Sequence, residues 1–143
     1  MTSQERFREY ATATLQKHPE ITHTWLQDRG VVQLRIPAKI EDGFDVEILV
    51  DDDTTIFWGN GHCHFDLDES SLPNLFGLIR DMLSPSMRVQ EFYAGRTMYR
   101  ARLQKIEGGV WSTEQTTALI FWNYFGRRSI KTFVNRTLPA RAT

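Results

Sequence analysis

Phe44, Val46, Ile48 and Val50 alternate with Asp45, Glu47 and Leu49. A period of two commits such a segment to a β-strand with one buried face. Val32, Leu34 and Ile36 alternate in the same way with Gln33 and Arg35, and Pro37 closes that run. Turn signals separate the strands. Glu41-Asp42-Gly43 precedes the first of them, Asp51-Asp52-Asp53 leads into Thr54–Trp58, and Asn60-Gly61 leads into His62–Leu67. Asn-Gly is the strongest two-residue hairpin signal in the chain, because both residues tolerate positive φ. Connections this short favour antiparallel neighbours.

Two helices flank this region. Thr2 and Glu5 have the spacing of a capping box, and Phe7, Tyr10, Ala11, Thr14 and Leu15 recur at helical spacing until Pro19 stops the run. Residues Ile21–Asp28 read as a connection that packs down through Trp25 and Leu26. Ser70 or Ser71 caps the second helix, Pro73 fits its first turn, and Leu72, Leu75, Phe76, Ile79, Met82 and Leu83 form a broad apolar face. Ser84-Pro85 ends it.

The last third reads mostly as antiparallel strands. Arg88–Tyr93 and Thr97–Ile106 flank Ala94-Gly95-Arg96, Glu107-Gly108-Gly109 breaks the second strand, and Ile130–Arg136 follows Gly126-Arg127-Arg128. Ala118–Phe125 is apolar except for Asn123, as a doubly covered strand would be, and a helix starting at Ser112 competes for Thr113–Asn123. These elements predict one α+β domain over residues 1–143, with a loose basic tail at 138–143. It is built on a single twisted antiparallel sheet of about six to eight strands, with two helices mainly on one face.

Composition narrows the function classes. A mean hydropathy of −0.41 and the lack of a long apolar run argue against a membrane span. The polar start Met1-Thr2-Ser3-Gln4-Glu5-Arg6 lacks the apolar segment of a signal peptide, and the lone Cys63 makes no internal disulfide. A cytoplasmic location is the expectation. The formal charge of −1 conceals a segregation: residues 41–69 hold ten acids and no Lys or Arg, whereas from residue 96 onward there are nine bases against two acids. Opposite charges on neighbouring strands would pair; two separate patches would instead steer a partner of opposite sign. Arg100, Arg102, Arg127, Arg128 and Lys131 interleave with Tyr99, Trp122 and Phe133. With a pI near 6.4, however, the whole molecule gains little from phosphate attraction, so nucleic acid is not the expected partner.

The segment Gly61-His62-Cys63-His64-Phe65-Asp66 holds two of the four histidines. Along a strand His62, His64 and Asp66 share one face, while Cys63, Phe65 and Leu67 share the other and better apolar face. Cys63 is therefore read as a small core residue rather than a nucleophile. His62 and His64 could converge on a zinc or iron ion, which would need a third ligand. Asp45 and Glu47 are the nearest candidates, and His18 and His23 more remote ones. The spacing is similar to the His-x-His-x-Asp-His signature of metallo-β-lactamase-like hydrolases, but Leu67 stands where its final histidine would be and the chain is too short for that fold. No phosphate loop and no Gly-x-Ser-x-Gly elbow is present.

Taken together, the acidic hairpin, the strand carrying Gly61, His62, His64, Phe65 and Asp66, the apolar helix, and the hairpin carrying Val89, Glu91, Phe92 and Tyr93 resemble a group of small bacterial proteins over roughly residues 44–105. Some of that group are similar to toxin-immunity proteins. The resemblance implies an order of elements, says little about mechanism and assigns no catalytic residue; the acidic block at 41–69 is what points to a binding role. The expected function is accordingly a non-enzymatic interaction protein, in its concrete form an immunity-like neutraliser of a basic toxin domain. Its carboxylates would mimic a phosphate backbone. Asp51, Asp52, Asp53, Asp66 and Asp68 are the candidate binding residues, with Trp58 as an aromatic anchor. No cofactor is expected on this reading; the alternative is a metal-dependent enzyme centred on His62 and His64. A small-ligand pocket between the sheet and Leu72–Leu83 is a third option.

Overall fold

The computed structural model describes residues 2–68, 70–119 and 126–140. Helix α1 (Ser3–Gln16) starts as its sequence requires: Thr2 Oγ1 accepts from the Glu5 amide at 3.1 Å, and the Glu5 carboxylate accepts from the Thr2 amide at 3.0 Å. Five strands follow in order, β1 (Thr24–Asp28), β2 (Val31–Ile36), β3 (Val46–Val50), β4 (Thr54–Trp58) and β5 (Gly61–Phe65). Each pairs antiparallel with the next, which gives the sheet order β1-β2-β3-β4-β5. Helix α2 (Leu72–Met82) then leads to β6 (Met87–Ala94), β7 (Thr97–Glu107), β8 (Val110–Ala118) and β9 (Arg128–Phe133), arranged as β8-β7-β6-β9. Among the described residues no helix is long and apolar enough to cross a membrane.

The α+β class and the antiparallel pairing agree with the sequence, but the single sheet does not: the described residues form two sheets, of five and four strands. The division has a visible cause. Helix α2 separates β5 from β6, and β5 meets β8 through a side chain instead of a backbone ladder. Thr117 Oγ1 accepts from the His62 amide and donates to the His62 carbonyl, both at 3.0 Å. The opposite side closes through the chain after β9, where the Val134 amide donates to Asp42 O at 2.8 Å. The buried Asn135 amide spans Phe44 N, Phe44 O and Met82 O.

Other expectations are corrected locally. Residues 24–28, read as part of a connection, form strand β1, which is half-exposed or exposed throughout and exists because it pairs with β2 across Arg29 and Gly30. Both turn residues have positive φ, 50° and 82°. The β4–β5 turn is Gly59-Asn60, one residue earlier than the Asn-Gly pair suggests, because Trp58 already pairs with Gly61. The helix considered from Ser112 is a strand as far as Ala118, since an eleven-residue β7 offers a full ladder to β8. The remainder of the apolar segment at 120–125 lies outside the described residues. Leu138 does not belong to a loose tail: it is 3% exposed and its amide donates to Leu83 O at 3.0 Å.

The core forms where alternation places it. Val32, Leu34, Ile36, Val46, Ile48, Val50 and Ile56 point inward from the first sheet, and Met87, Val89, Ala101 and Leu103 from the second. Helix α1 packs on β2 and β3, and α2 packs on α1 and β6. Phe7 on α1 stacks against Phe76 on α2 at 5.9 Å, and Tyr10 sits 5.2 Å from the same ring.

Candidate functional site

Five of the six residues expected to bind a partner come together. Thr54 at the start of β4 pairs with Phe65 at the end of β5. The Asp51-Asp52-Asp53 turn before one and the Asp66–Asp68 segment after the other therefore emerge side by side. With Ser3, Thr54 and Leu67 they line a shallow depression of about 220 Å³. All five aspartates are exposed, and among the described residues none pairs with a Lys or Arg. The first of them shapes the turn: Asp51 Oδ1 accepts from the Asp53 amide at 2.8 Å, and the Asp51 amide donates to Asp53 O at 3.0 Å. That geometry keeps the turn tight and its carboxylates close.

Asp68 also has a structural task. Its Oδ1 accepts from the Ser70 hydroxyl at 2.7 Å and the Ser71 amide at 2.9 Å, while its own amide donates to Ser71 Oγ at 2.7 Å. Ser71 stands at the N-cap of α2, one of the two positions the sequence suggests, but its side chain makes no cap bond into the helix, and Asp68 instead braces the turn that opens it. These bonds, the Ser70 hydroxyl foremost, hold the Asp68 carboxyl below the usual carboxylate range. A depressed folded-state value means that the stabilisation is present above the unfolded pKa and is lost as pH falls through the folded one. Asp68→Asn, which keeps the acceptor but not the charge, should therefore show a smaller loss of melting temperature than wild type between about pH 6 and pH 3. Parallel melting curves across that range would show that the carboxylate contributes nothing to that turn.

Trp58 is not part of this surface. It is 0% exposed, and its ring lies against Gly61 in the core, so it cannot serve as a surface anchor. The signal was available in the alternation: Trp58 shares its face with Thr54 and Ile56, both buried, and pairs with Val46.

The histidines lie as alternation places them. His62 and His64 are exposed, with ring centroids 5.9 Å apart, and Cys63 is buried on the other face. Burial pushes the Cys63 thiol up, against a smaller opposing effect of the Trp58 indole. His64 Nδ1 lies 3.4 Å from Thr55 Oγ1, and the His62 ring is 6.1 Å from Phe57. The suggested third ligands are engaged elsewhere. Glu47 accepts from Gln33 Nε2 at 2.9 Å and lies 3.6 Å from Arg35 Nε, while Asp45 Oδ1 accepts from the Ala38 amide at 2.8 Å. Phe57 stands between Glu47 and His62 in the register. His18 pairs with Glu20, and His23 lies against Ile21 O and Trp25. Among the described residues no three His, Cys, Asp or Glu side chains are grouped as a metal ion would require.

Sequence reasoning missed a polar junction between the sheets. Glu91, 3% exposed, accepts from Tyr93 Oη at 2.8 Å and from the Asn60 amide at 3.3 Å. Burial, with the Glu91 hydrogen bond and charge adding to it, pushes the Tyr93 hydroxyl up to about 12. The phenol therefore keeps its proton at neutral pH and donates its hydrogen bond to Glu91. Glu91 also borders a small pocket with Phe44, Asp45, Gly59, Asn60 and Phe133. Its sequence signal was a carboxylate at the same alternation as Met87 and Val89. No family model, curated protein or solved structure matches this chain.

Proposed function

We propose that this chain is a non-enzymatic binding protein of the bacterial cytoplasm that recognises a cationic protein surface, in the manner of an immunity protein covering a basic toxin cleft. One observation carries this reading: two separate chain segments place five carboxylates around a single depression with no basic partner among the described residues. Crowded like charges repel one another and weaken an isolated fold, whereas a basic partner converts the same field into attraction and faster encounter. Asp51, Asp52, Asp53 and Asp66 supply that field, and Asp68 contributes to it while bracing the turn that opens α2.

The test is affinity capture at low salt, with the full chain and its Asp51→Asn/Asp52→Asn/Asp53→Asn variant side by side. The expected result is a basic protein retained by the wild type and released as salt rises. Its association rate should fall at least about tenfold with the variant. Recovery of no partner at low salt, or of one indifferent to the three substitutions, defeats the proposal. A second reading, a metal-dependent enzyme centred on His62 and His64, draws on the proximity of their rings. Tight zinc retention abolished by His62→Ala/His64→Ala would favour it instead.

A further inference from the structure

We infer that the outer face of the β8-β7-β6-β9 sheet binds single-stranded nucleic acid. Met87, Val89 and Glu91 of β6 point into the protein, so Arg88, Gln90 and Phe92 point out. Their register partners on β7 are Gln104, Arg102 and Arg100, which lie on the same side because opposed residues of an antiparallel pair share a face. Next in register stand Thr113 and Thr116 on β8, and Thr132 and Ile130 on β9, the last 57% exposed. Trp111 joins them: the Arg88 guanidinium lies 4.1 Å over its ring, and Arg88 Nε donates to Gln104 Oε1 at 2.7 Å. Arg102 lies 5.1 Å over the Phe92 ring, which is 6.3 Å from Tyr99.

Three features select the ligand. First, Arg88, Arg100 and Arg102 pair with no carboxylate among the described residues, so their charge is uncommitted. Glu114, near the β7–β8 irregularity, is the one acid of β8. Second, the Arg88 and Arg102 guanidiniums lie over the Trp111 and Phe92 rings, which positions their donors for phosphates beside planar surfaces on which bases stack. An acidic peptide would gain nothing from that stacking. Third, among the described residues the face is a sheet with no protruding helix or ribbon to enter a duplex groove, so a strand with splayed bases fits where a duplex does not.

The overall pI of 6.4 does not oppose this. The aspartates of the 51–53 turn lie at the far end of β4 from the Gly59-Asn60 turn that meets β6, a strand length of about 13 Å. That exceeds the screening length of roughly 8–10 Å in ordinary buffers. The sheet face is therefore governed by its own charges. This inference rests on different residues from the acidic surface, and either can fail alone.

Fluorescence anisotropy with labelled oligothymidylate and oligouridylate tests it. Wild-type protein should bind at about 50 mM salt and release the strand as salt rises. Arg100→Gln/Arg102→Gln should weaken binding at least about tenfold and lower the log–log salt slope by about 1.4. Of Arg88, Arg100 and Arg102, Arg100 touches no ring among the described residues, so Arg100→Gln serves as the variant with the least packing disturbed and should lower the slope by about half as much. Phe92→Leu should weaken binding about fivefold or more with little change of slope. Asp51→Asn/Asp52→Asn/Asp53→Asn should leave it unchanged. The inference is overturned if neither oligonucleotide binds, if folded Arg100→Gln binds with the wild-type slope, or if duplex DNA or polyglutamate displaces the strand as well as unlabelled oligonucleotide does.

Discussion

Asn135→Ala is expected to lower stability by about 3 kcal/mol or more, the largest effect of any polar substitution in the protein. Asn135 is 2% exposed. Its Nδ2 donates to Phe44 O at 3.0 Å and to Met82 O at 3.1 Å, and its Oδ1 accepts from the Phe44 amide at 3.0 Å. One side chain thus joins the strand entering β3, the end of α2 and the segment after β9. Alanine leaves three buried backbone groups without these partners, each at roughly 1–3 kcal/mol, and opens a polar gap in the core. Denaturant titration measures the loss. Asn135→Asp should be no better tolerated, because it sets a carboxylate oxygen against two carbonyl oxygens. Gly43 supplies a control: a Cβ there would lie 2.6 Å from Asn135 Oδ1. Gly43→Ala should therefore cost less in the Asn135→Ala background than in wild type, a coupling that a double-mutant cycle reads directly. A loss below about 1 kcal/mol for Asn135→Ala would mean that solvent replaces the amide without penalty.

Gly61→Ala is the second large effect, expected at about 3 kcal/mol. Trp58 pairs with Gly61 across the hairpin, and the indole lies over the glycine: an added Cβ would stand 2.0 Å from Cζ3, 2.3 Å from Cη2 and 2.5 Å from Cε3. These atoms belong to a rigid ring that is itself fully buried. Relief requires moving the ring into a packed core or opening the hairpin, and either strains a neighbour. Thermal melts should show the loss, and shortening the indole in Trp58→Leu/Gly61→Ala should recover part of it relative to the sum of the single changes. Additive single and double variants would show that ring and glycine do not compete for the same space. Because the turn also carries Asn60, whose amide bonds Glu91, a displaced hairpin should disturb the junction with the second sheet.

The two effects differ in how far the sequence announced them. Glycine beside a predicted hairpin suggested turn chemistry, and the turn does use positive φ, but at Gly59 (64°), with Gly61 required instead for the tryptophan. Asn135 carried no signal, because its partner Phe44 is 91 residues away. The acidic site was legible in part: the composition of residues 41–69 is local, and the alternation on β5 separated Cys63 from the two histidines. The grouping of Asp66 and Asp68 with Asp51–Asp53 was expected from the sequence, but the register that produces it, Thr54 opposite Phe65, was not. The sequence shows Arg100 and Arg102 beside aromatic residues, with the overall pI weighing against a phosphate partner; their placement with Arg88, Phe92 and Trp111 on one face was not legible, since the net charge of a chain averages over surfaces that a fold keeps apart.

The sequence by itself determined the kinds of element and the face each would bury. It set the Thr2–Glu5 cap of α1, the apolar side of α2, the inward residues of β2, β3 and β6, and the outward histidines of β5. These are matters of spacing within a few residues, and the helical and strand periods express them directly. Only the tertiary structure decided that the strands divide into two sheets, that Thr117 joins β5 to β8, and that Asn135 and Glu91 close the junction. Each of these depends on partners distant in the chain, whose complementarity of shape and hydrogen bonding exists once the elements are docked, and alternation along a single strand does not encode it.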